Sequence, residues 1–167
     1  MSMIIVSSYS HAGEAFDRYK PRHVISILGN DDGPAPSFSE VPAENHLVVS
    51  DDCDGADQSA GSRCGALINM ARAWDQKEPI LIHCHRGVAR SMAAAYIILC
   101  AVDQEHTEYE IAQRLRKAAP HADPNLLLIS EADEILGRDD RMVEAVLDLC
   151  PCAGAVSDPI VALPIAA

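Results

Sequence analysis

A strand, a short turn and a helix follow one another directly near the middle of this 167-residue chain. The apolar run at residues 80–83 predicts a buried strand, and the alanine-rich run at 91–101 predicts a helix. The turn at residues 84–90 therefore lies at a helix N-terminus, where successive backbone N–H groups can converge on an anion. Gly87 supplies the backbone freedom that such a tight turn needs. This unit predicts a phosphate-binding loop.

Strands and helices alternate along the chain around this unit, which predicts the fold class. Further strands are predicted at residues 4–7, 23–28 and 46–50, and further helices at 59–76, 107–119, 125–136 and 140–149. Residues 13–19 predict a short helix or a turn. Thr107 and Glu110 have capping-box spacing, and Gly137 is typical of a helix end. The pattern predicts an α/β fold with a central, mainly parallel sheet of four to five strands flanked by helices. Ligands of such folds bind at the carboxyl ends of the strands.

Composition limits the number of domains and the cellular location. Hydrophobic residues make up 49% of the chain, which is enough for one sizeable core, so we expect a single domain over residues 1–150. Residues 151–167 carry one charge, Asp158, and we expect this apolar tail to pack on the domain or at an interface. The segment 1–6 has no basic stretch, and the apolar run 92–102 is too short to cross a bilayer. The sequence therefore predicts a cytoplasmic protein.

Charge and cysteine usage argue against several classes of partner. The net charge of −12 disfavours nucleic acid and anionic membranes, since both would repel the protein. The six cysteines do not form the pattern of a small secreted scaffold, so we expect reduced thiols. His83 and His85 point to the opposite side of a strand from Cys84, which is poor geometry for a tetrahedral metal site. We therefore expect no metal and no cofactor.

The chemistry of the turn points to Cys84 as a nucleophile. A thiol at a helix N-terminus and near cationic side chains is readily ionised, and the thiolate is the reactive form. Arg90 can hold two phosphoryl oxygens through paired hydrogen bonds, and Ser91 can donate a hydrogen bond to the sulfur when it leaves. The residues between the cysteine and the arginine would surround the phosphate: His85, Arg86, Gly87, Val88 and Ala89.

The sequence His-Cys-x-x-Gly-x-x-Arg-Ser, from His83 to Ser91, resembles the loop of the cysteine-dependent protein tyrosine phosphatases. The chain is similar in length to the members of their compact, dual-specificity-like branch. The resemblance implies hydrolysis of phosphomonoesters, most of all phosphotyrosine or dual-specificity protein substrates, through a cysteinyl-phosphate intermediate. It also places His83 behind the loop as a supporting residue. After a predicted helix, Pro124 and Asn125 resemble a pair that braces the loop through the asparagine side chain.

The family also uses a general acid, usually an aspartate about thirty residues before the cysteine, to protonate the leaving oxygen. Here Asp51, Asp52 and Asp54 follow the predicted strand at 46–50. We favour Asp52, with Asp51 second and Asp54 third. Cys53 lies beside the proposed acid, so it could trap an oxidised Cys84 as a disulfide if the two come close enough.

Three alternatives to a protein phosphatase are compatible with these residues. Arg86 adds a positive charge within the loop, as in phosphoinositide or inositol-phosphate phosphatases. A phosphate-binding module that has lost catalysis would keep the loop but not the acid. A rhodanese-like sulfur transferase also carries a cysteine loop after a strand, although it usually lacks this combination of His83 and Ser91.

Overall fold

The structure is a computed structural model, and it describes residues 2–51, 60–149 and 158–165, with no side-chain description for 60–62. Its strands are β1 (Met3–Ser8), β2 (His23–Leu28), β3 (His46–Ser50), β4 (Ile80–Cys84) and β5 (Ile160–Pro164). Its helices are α1 (Ala12–Tyr19), α2 (Ala60–Ala73), α3 (Arg90–Val102), α4 (Glu108–Ala118), α5 (Leu126–Leu136) and α6 (Arg141–Leu147). No helix among the described residues is long and apolar enough to cross a membrane.

The five strands form one sheet in the order β3-β2-β4-β1-β5. The first four strands in the chain run parallel, and β5 pairs antiparallel with β1. This arrangement confirms the predicted α/β fold with a mainly parallel sheet. Parallel strands end at the same edge, so the sheet brings together the residues that follow β1, β2, β3 and β4.

Each face of the sheet is covered by helices because the strands are apolar on both sides. On one face, Ile5, Val24 and Leu81 pack with Phe16 of α1 and with Phe38. The other face packs into the larger core, which includes α2 and α3. Helix α3 is buried at every position from 91 to 100, as its uniformly apolar sequence predicts. The helix that follows the loop at residues 84–90 is therefore held rigidly in the core.

Local sequence signals set several helix ends as expected. The Thr107 side chain accepts a hydrogen bond from the Glu110 N–H, and the Glu110 side chain accepts one from the Thr107 N–H, which confirms the capping box. Gly137 ends α5 in the left-handed conformation, with φ of 63°. Strands β2 and β3 have the predicted bounds.

Strand β5 lies in the segment 151–167, which the sequence predicts as an apolar tail packed on the domain or at an interface. Its residues 160–164 pair with β1, with Met3 opposite Pro164, and Val161 and Leu163 are buried. The alternation of buried and exposed residues covers only five positions and includes a proline, which is a weak local signal for a strand. This part of the segment belongs to the sheet. Residues 150–157 lie outside the described part of the chain.

Candidate active site

The loop at residues 84–90 connects β4 to α3, as the sequence predicts. Cys84 ends β4 and is 2% exposed. The N–H of Gly87 donates to its sulfur at 3.3 Å, and the hydroxyl oxygen of Ser91 lies 3.1 Å from the same atom. Ala89 precedes the first residue of α3. The sulfur therefore lies beside a backbone N–H donor, a hydroxyl group and the N-terminus of α3.

Gly87 allows the loop to lie directly against the end of β1. Its φ is +71°, and a Cβ atom there would lie 2.8 Å from the Ser8 nitrogen and 2.9 Å from the Ser7 carbonyl carbon. The turn that follows β1 also contacts the loop, where the Tyr9 N–H donates to the His85 carbonyl at 3.1 Å. Both the left-handed backbone and the close approach exclude a side chain at position 87. The fold therefore requires glycine here.

The Arg90 guanidinium forms an ion pair with an aspartate that the sequence analysis did not select. Its Nη1 atom donates to the Asp32 Oδ2 atom at 2.6 Å. Asp32 lies in a 3-10 turn just after β2, and its Oδ2 atom also accepts from the Gly29 N–H at 2.7 Å. Its Oδ1 atom is 3.3 Å from His85 Nδ1. The sequence contains one signal that could have pointed to Asp32. Asp32 is an acidic residue that closely follows a strand, and this strand ends at the ligand-binding edge of the sheet.

These contacts affect the ionisation of Asp32. Hydrogen bonds from Arg90 and from the Gly29 N–H outweigh partial burial and hold the pKa of Asp32 below its usual range. The carboxylate is therefore charged at neutral pH and cannot serve as a proton donor. Asp32 instead contacts two side chains of the loop at once, those of Arg90 and His85.

Asp51, the second choice for the general acid, also lies at the site. Its Oδ1 atom is 3.1 Å from Arg63 Nη1, and its Oδ2 atom is 3.6 Å from Arg90 Nε. Arg63 is 8% exposed and forms a second ion pair with Glu131 on α5, at 2.8 Å. Two guanidinium groups therefore pair with Asp51. The other candidates, Asp52 and Asp54, and the neighbouring Cys53 lie outside the described residues.

His83 is completely buried behind the loop, in β4. Its Nε2 atom is 2.7 Å from the hydroxyl oxygen of Ser26, which lies 2.9 Å from His46 Nε2 on the neighbouring strand β3. Burial, and to a lesser extent the nearby His46, lowers the pKa of His83 to about 4. His83 is therefore neutral at physiological pH, and its hydrogen bond with Ser26 links β4 to β2 directly before the loop.

Asn125 lies next to the loop, but the contact runs through the backbone. Its N–H donates to the Ala89 carbonyl at 3.2 Å, and the Asp123 N–H donates to the Val88 carbonyl at 3.1 Å. The Asn125 side chain instead accepts from the Leu128 N–H at 3.1 Å and caps α5. The expected bracing through the side chain is thus replaced by main-chain hydrogen bonds, because the amide is engaged by its own helix.

The remaining predicted loop residues differ in exposure. Arg86 is exposed, Val88 and Ala89 are half-buried, and His85 is more than half exposed although it contacts Asp32. The rim of the loop therefore presents Arg86 to solvent.

Within residues 2–51, 60–149 and 158–165, no three His, Cys, Asp or Glu side chains are grouped to hold a metal ion. The three cysteines described there, Cys64, Cys84 and Cys100, are free thiols.

No protein-family model and no curated protein matches this sequence. Solved structures do match its fold. DUSP15 is 16% identical and aligns with 91% of this chain and 96% of its own, with a TM-score of 0.61. The Cydia pomonella PTP-2 phosphatase is 18% identical over 96% of this chain and 92% of its own, with a TM-score of 0.58. PTPMT1, solved in complex with PI(5)P, is 14% identical over 81% of this chain and 94% of its own, with a TM-score of 0.57.

These comparisons establish the fold of the chain. It is the compact fold of the dual-specificity-like tyrosine phosphatases, which confirms at the level of the fold the resemblance that the loop sequence indicates. Because the sequence identities are low, the comparisons show the fold alone, and the chemistry has to be inferred from the residues of the site.

Proposed function

We propose that this protein hydrolyses phosphomonoesters through a cysteinyl-phosphate intermediate on Cys84, with phosphotyrosine or dual-specificity protein substrates favoured. The observation that carries this proposal is the position of the Cys84 sulfur. It lies 3.3 Å from the Gly87 nitrogen and 3.1 Å from the Ser91 hydroxyl, at the base of a loop that also supplies Arg90. The fold shared with known phosphatases supports the same chemistry.

In the first step the Cys84 thiolate attacks phosphorus, so that a P–S bond forms while the P–O bond to the substrate breaks. The loop N–H groups and the Arg90 guanidinium stabilise the equatorial oxygens as charge develops on them. A neutral carboxylic acid gives its proton to the leaving oxygen. We assign that acid to Asp52, because both carboxylate oxygens of Asp51 already pair with guanidinium groups.

In the second step water attacks phosphorus, the P–S bond breaks and inorganic phosphate leaves. The acid from the first step, now a carboxylate, accepts a proton from the attacking water. The Ser91 hydroxyl is 3.1 Å from the sulfur and can donate a hydrogen bond as the thiolate is regenerated. The two steps return Cys84 to its starting state.

The charges around the loop favour substrates with one phosphate. Two residues that can carry positive charge, His85 and Arg86, directly follow the cysteine. His85 already lies 3.3 Å from the Asp32 carboxylate. Only Arg86 projects from that part of the loop into solvent with no described ion pair. A second phosphate, as in an inositol polyphosphate, would normally need several positive groups arranged together. We therefore favour protein phosphoesters as substrates, and inositol phosphates are the second candidate.

A substrate panel tests the proposal directly. Wild-type protein is assayed with para-nitrophenyl phosphate, phosphotyrosine and phosphoserine peptides, and inositol phosphates, and thiosulfate is included for sulfur transfer. Rapid acid quench followed by mass spectrometry should find a phosphate on the peptide that contains Cys84. Cys84→Ser should abolish turnover, and Arg90→Lys should nearly abolish it, because an ammonium group cannot reproduce the two-point contact. Arg72→Lys, an exposed site on α2, serves as the matched control.

Three results would contradict the proposal. Turnover that persists in Cys84→Ser would exclude this nucleophile. Phosphate binding without hydrolysis of any ester would indicate a binding module. Sulfur transfer from thiosulfate without ester hydrolysis would indicate a rhodanese-like enzyme.

A further inference from the structure

Four charged side chains form a row that leads from helix α5 to the loop at residues 84–90. Glu131 on α5 lies 2.8 Å from Arg63 on α2, and Arg63 lies 3.1 Å from Asp51, which directly follows β3. Asp51 in turn lies 3.6 Å from Arg90. The charges alternate in sign along the row, and the last contact is the longest. Asp51 is therefore held more closely by Arg63 than by Arg90.

The Arg63 guanidinium has little freedom to move. Its Nε and Nη2 atoms donate to the two carboxylate oxygens of Glu131 at 3.2 and 2.8 Å, the two-point geometry that makes arginine–carboxylate pairs strong. Its Nη1 atom donates to Asp51 Oδ1 at 3.1 Å. The Arg63 and Glu131 side chains are 7% and 14% exposed, so water screens this pair only partly. Arg63 therefore offers Asp51 a partner in a fixed position.

The Arg90 nitrogen nearest to Asp51 is one that a bound phosphate would use. Arg90 Nη1 already donates to Asp32, so the edge formed by Nε and Nη2 is left for a two-point contact with phosphoryl oxygens. Asp51 Oδ2 lies 3.6 Å from Nε, which is longer than a hydrogen bond. A movement of about 0.7 Å would bring it to the usual hydrogen-bond length of about 2.9 Å. The Asp51 carboxylate would then occupy the edge and compete with phosphate.

We propose that Arg63, held by Glu131, is a positioning residue that keeps the Asp51 carboxylate away from Arg90, so that the Nε–Nη2 edge of Arg90 stays available to phosphate. The proposal rests on the function assigned above and adds a residue outside the loop on which its phosphate affinity depends. Both guanidinium groups attract the same carboxylate. The shorter contact with Arg63 shows which attraction prevails.

Two other roles for Arg63 lead to different expectations. Arg63 is a poor phosphate ligand, because its Nε, Nη1 and Nη2 atoms all donate to carboxylates already. A purely structural role, in which Arg63 joins α2, α5 and the end of β3, does not depend on the charge of Asp51. A test that changes this charge therefore separates positioning from structure.

The variants are chosen so that no buried charge is left without a partner. Loss of Arg63 alone would leave the Glu131 carboxylate unpaired, which destabilises a fold strongly, so both members of the pair are replaced in Arg63→Met/Glu131→Gln. Addition of Asp51→Asn removes the proposed competitor from the same background. Arg72→Met/Glu134→Gln is the matched control, because it makes the same two changes at exposed positions of α2 and α5.

The experiment measures binding of inorganic phosphate by titration calorimetry, which needs no turnover. Arg63→Met/Glu131→Gln should bind phosphate about tenfold more weakly than wild type, equivalent to about 1.4 kcal/mol. The triple variant with Asp51→Asn should return to within about threefold of wild type. The matched control should stay within about twofold, and kcat/KM for para-nitrophenyl phosphate should fall and recover in the same order.

A second variant tests the proposal with the buried pair intact. Asp51→Glu keeps Arg63 and Glu131 in place, but its longer side chain brings the carboxylate to Arg90. Phosphate binding should therefore weaken about fivefold in Asp51→Glu, whereas Asp51→Asn should bind phosphate at least as tightly as wild type. Thermal unfolding followed by circular dichroism verifies that each variant is folded at the temperature of the titration.

Several outcomes overturn the proposal. A loss of phosphate affinity that persists in the triple variant would make Arg63 a structural tie only. Unchanged affinity in Arg63→Met/Glu131→Gln, or in Asp51→Glu, would show that Asp51 does not compete for Arg90. Weaker binding in Asp51→Asn alone would mean that the carboxylate supports the site.

The same data separate this role from the function on which it rests. Wild-type protein that binds phosphate but hydrolyses no ester would refute the phosphatase function alone, because the affinities of the variants still test Arg63. Unaffected variants of an active enzyme would refute the role of Arg63 alone. A wild-type loop that binds no phosphate refutes both.

Discussion

The hydroxyl oxygen of Ser91 lies 3.1 Å from the sulfur of Cys84, and both side chains are almost completely buried. The serine begins the core of α3, which is buried at every position through Cys100. The hydroxyl is therefore held beside the sulfur by a rigid helix. Its contribution should be greatest when the sulfur carries full negative charge, at the start of the cycle and when the P–S bond breaks.

Ser91→Ala should therefore slow breakdown of the cysteinyl phosphate more than its formation. We expect a burst of nitrophenol release followed by a steady-state rate about 10- to 100-fold below wild type, since one hydrogen bond to a charged group contributes about 1.5–3 kcal/mol. Stopped-flow absorbance and mass spectrometry of the quenched enzyme measure both phases. A variant with no burst and an unchanged steady-state rate would show that Ser91 does not assist the leaving sulfur.

The assignment of the acid predicts a dependence on the leaving group. Asp52→Asn should lower turnover of a phosphotyrosine peptide by about 10² to 10⁴, and the loss should shrink for nitrophenyl esters, whose leaving group needs little protonation. Asp51→Asn should show no such dependence, because Asp51 pairs with Arg63 and Arg90. If the leaving-group dependence appeared in Asp51→Asn and not in Asp52→Asn, the assignment would be reversed.

Gly87 and Gly137 provide a matched pair for separating backbone strain from close packing. Both have positive φ, +71° and +63°, but a Cβ at Gly87 would contact the backbone of Ser7 and Ser8, whereas a Cβ at Gly137 would have nothing within 4 Å. Gly137→Ala should lower the free energy of unfolding by about 1–2 kcal/mol, the cost of left-handed backbone, and retain activity. Gly87→Ala should lower it further and abolish phosphate binding.

Urea unfolding followed by fluorescence, together with phosphate titration, measures both effects. Equal destabilisation by the two substitutions would mean that β1 can move away from the loop without cost.

The low pKa of His83 makes the stability of the protein sensitive to pH. In the unfolded chain a histidine takes up a proton near pH 6.5, whereas burial lowers the pKa of His83 in the fold to about 4. Because the unfolded state binds the proton first, this contribution to stability is complete above about pH 6.5 and is lost as the pH falls toward 4.

His83→Gln removes this linkage. Between pH 7 and pH 5 the wild type should lose about 2 kcal/mol more of its free energy of unfolding than the variant does. The difference between the two slopes is the decisive quantity, because the substitution also changes stability at every pH. Parallel curves for the two proteins would show that His83 accepts a proton in the fold as easily as in the unfolded chain.

Local patterns in the sequence predict the strand, loop and helix around Cys84, because the residues that define this unit are adjacent in the chain. The Thr107 capping box and the end of α5 at Gly137 are predicted for the same reason. Such features depend on interactions between residues only a few positions apart.

Features that depend on the order of strands in the sheet are not predicted by these patterns. Asp31 and Asp32 look alike in the sequence, and only the pairing of β2 with β4 brings Asp32 to Arg90. The contact of Ser26 with His83 arises from the same pairing. The sequence patterns do not predict strand β5, because β5 is recognised only by its pairing with β1, which lies far from it in the chain.

The pairing of β5 with β1 also has a consequence for how the protein is made. Translation releases β1 first and β5 last, and domains generally fold as units during synthesis. Until residues 160–164 leave the ribosome, β1 has β4 as a neighbour on one side and an open row of peptide groups on the other. Ser7 and Ser8, against which the phosphate loop rests, belong to this strand. The nascent chain therefore completes the support of this loop only after residues 160–164 have been synthesised.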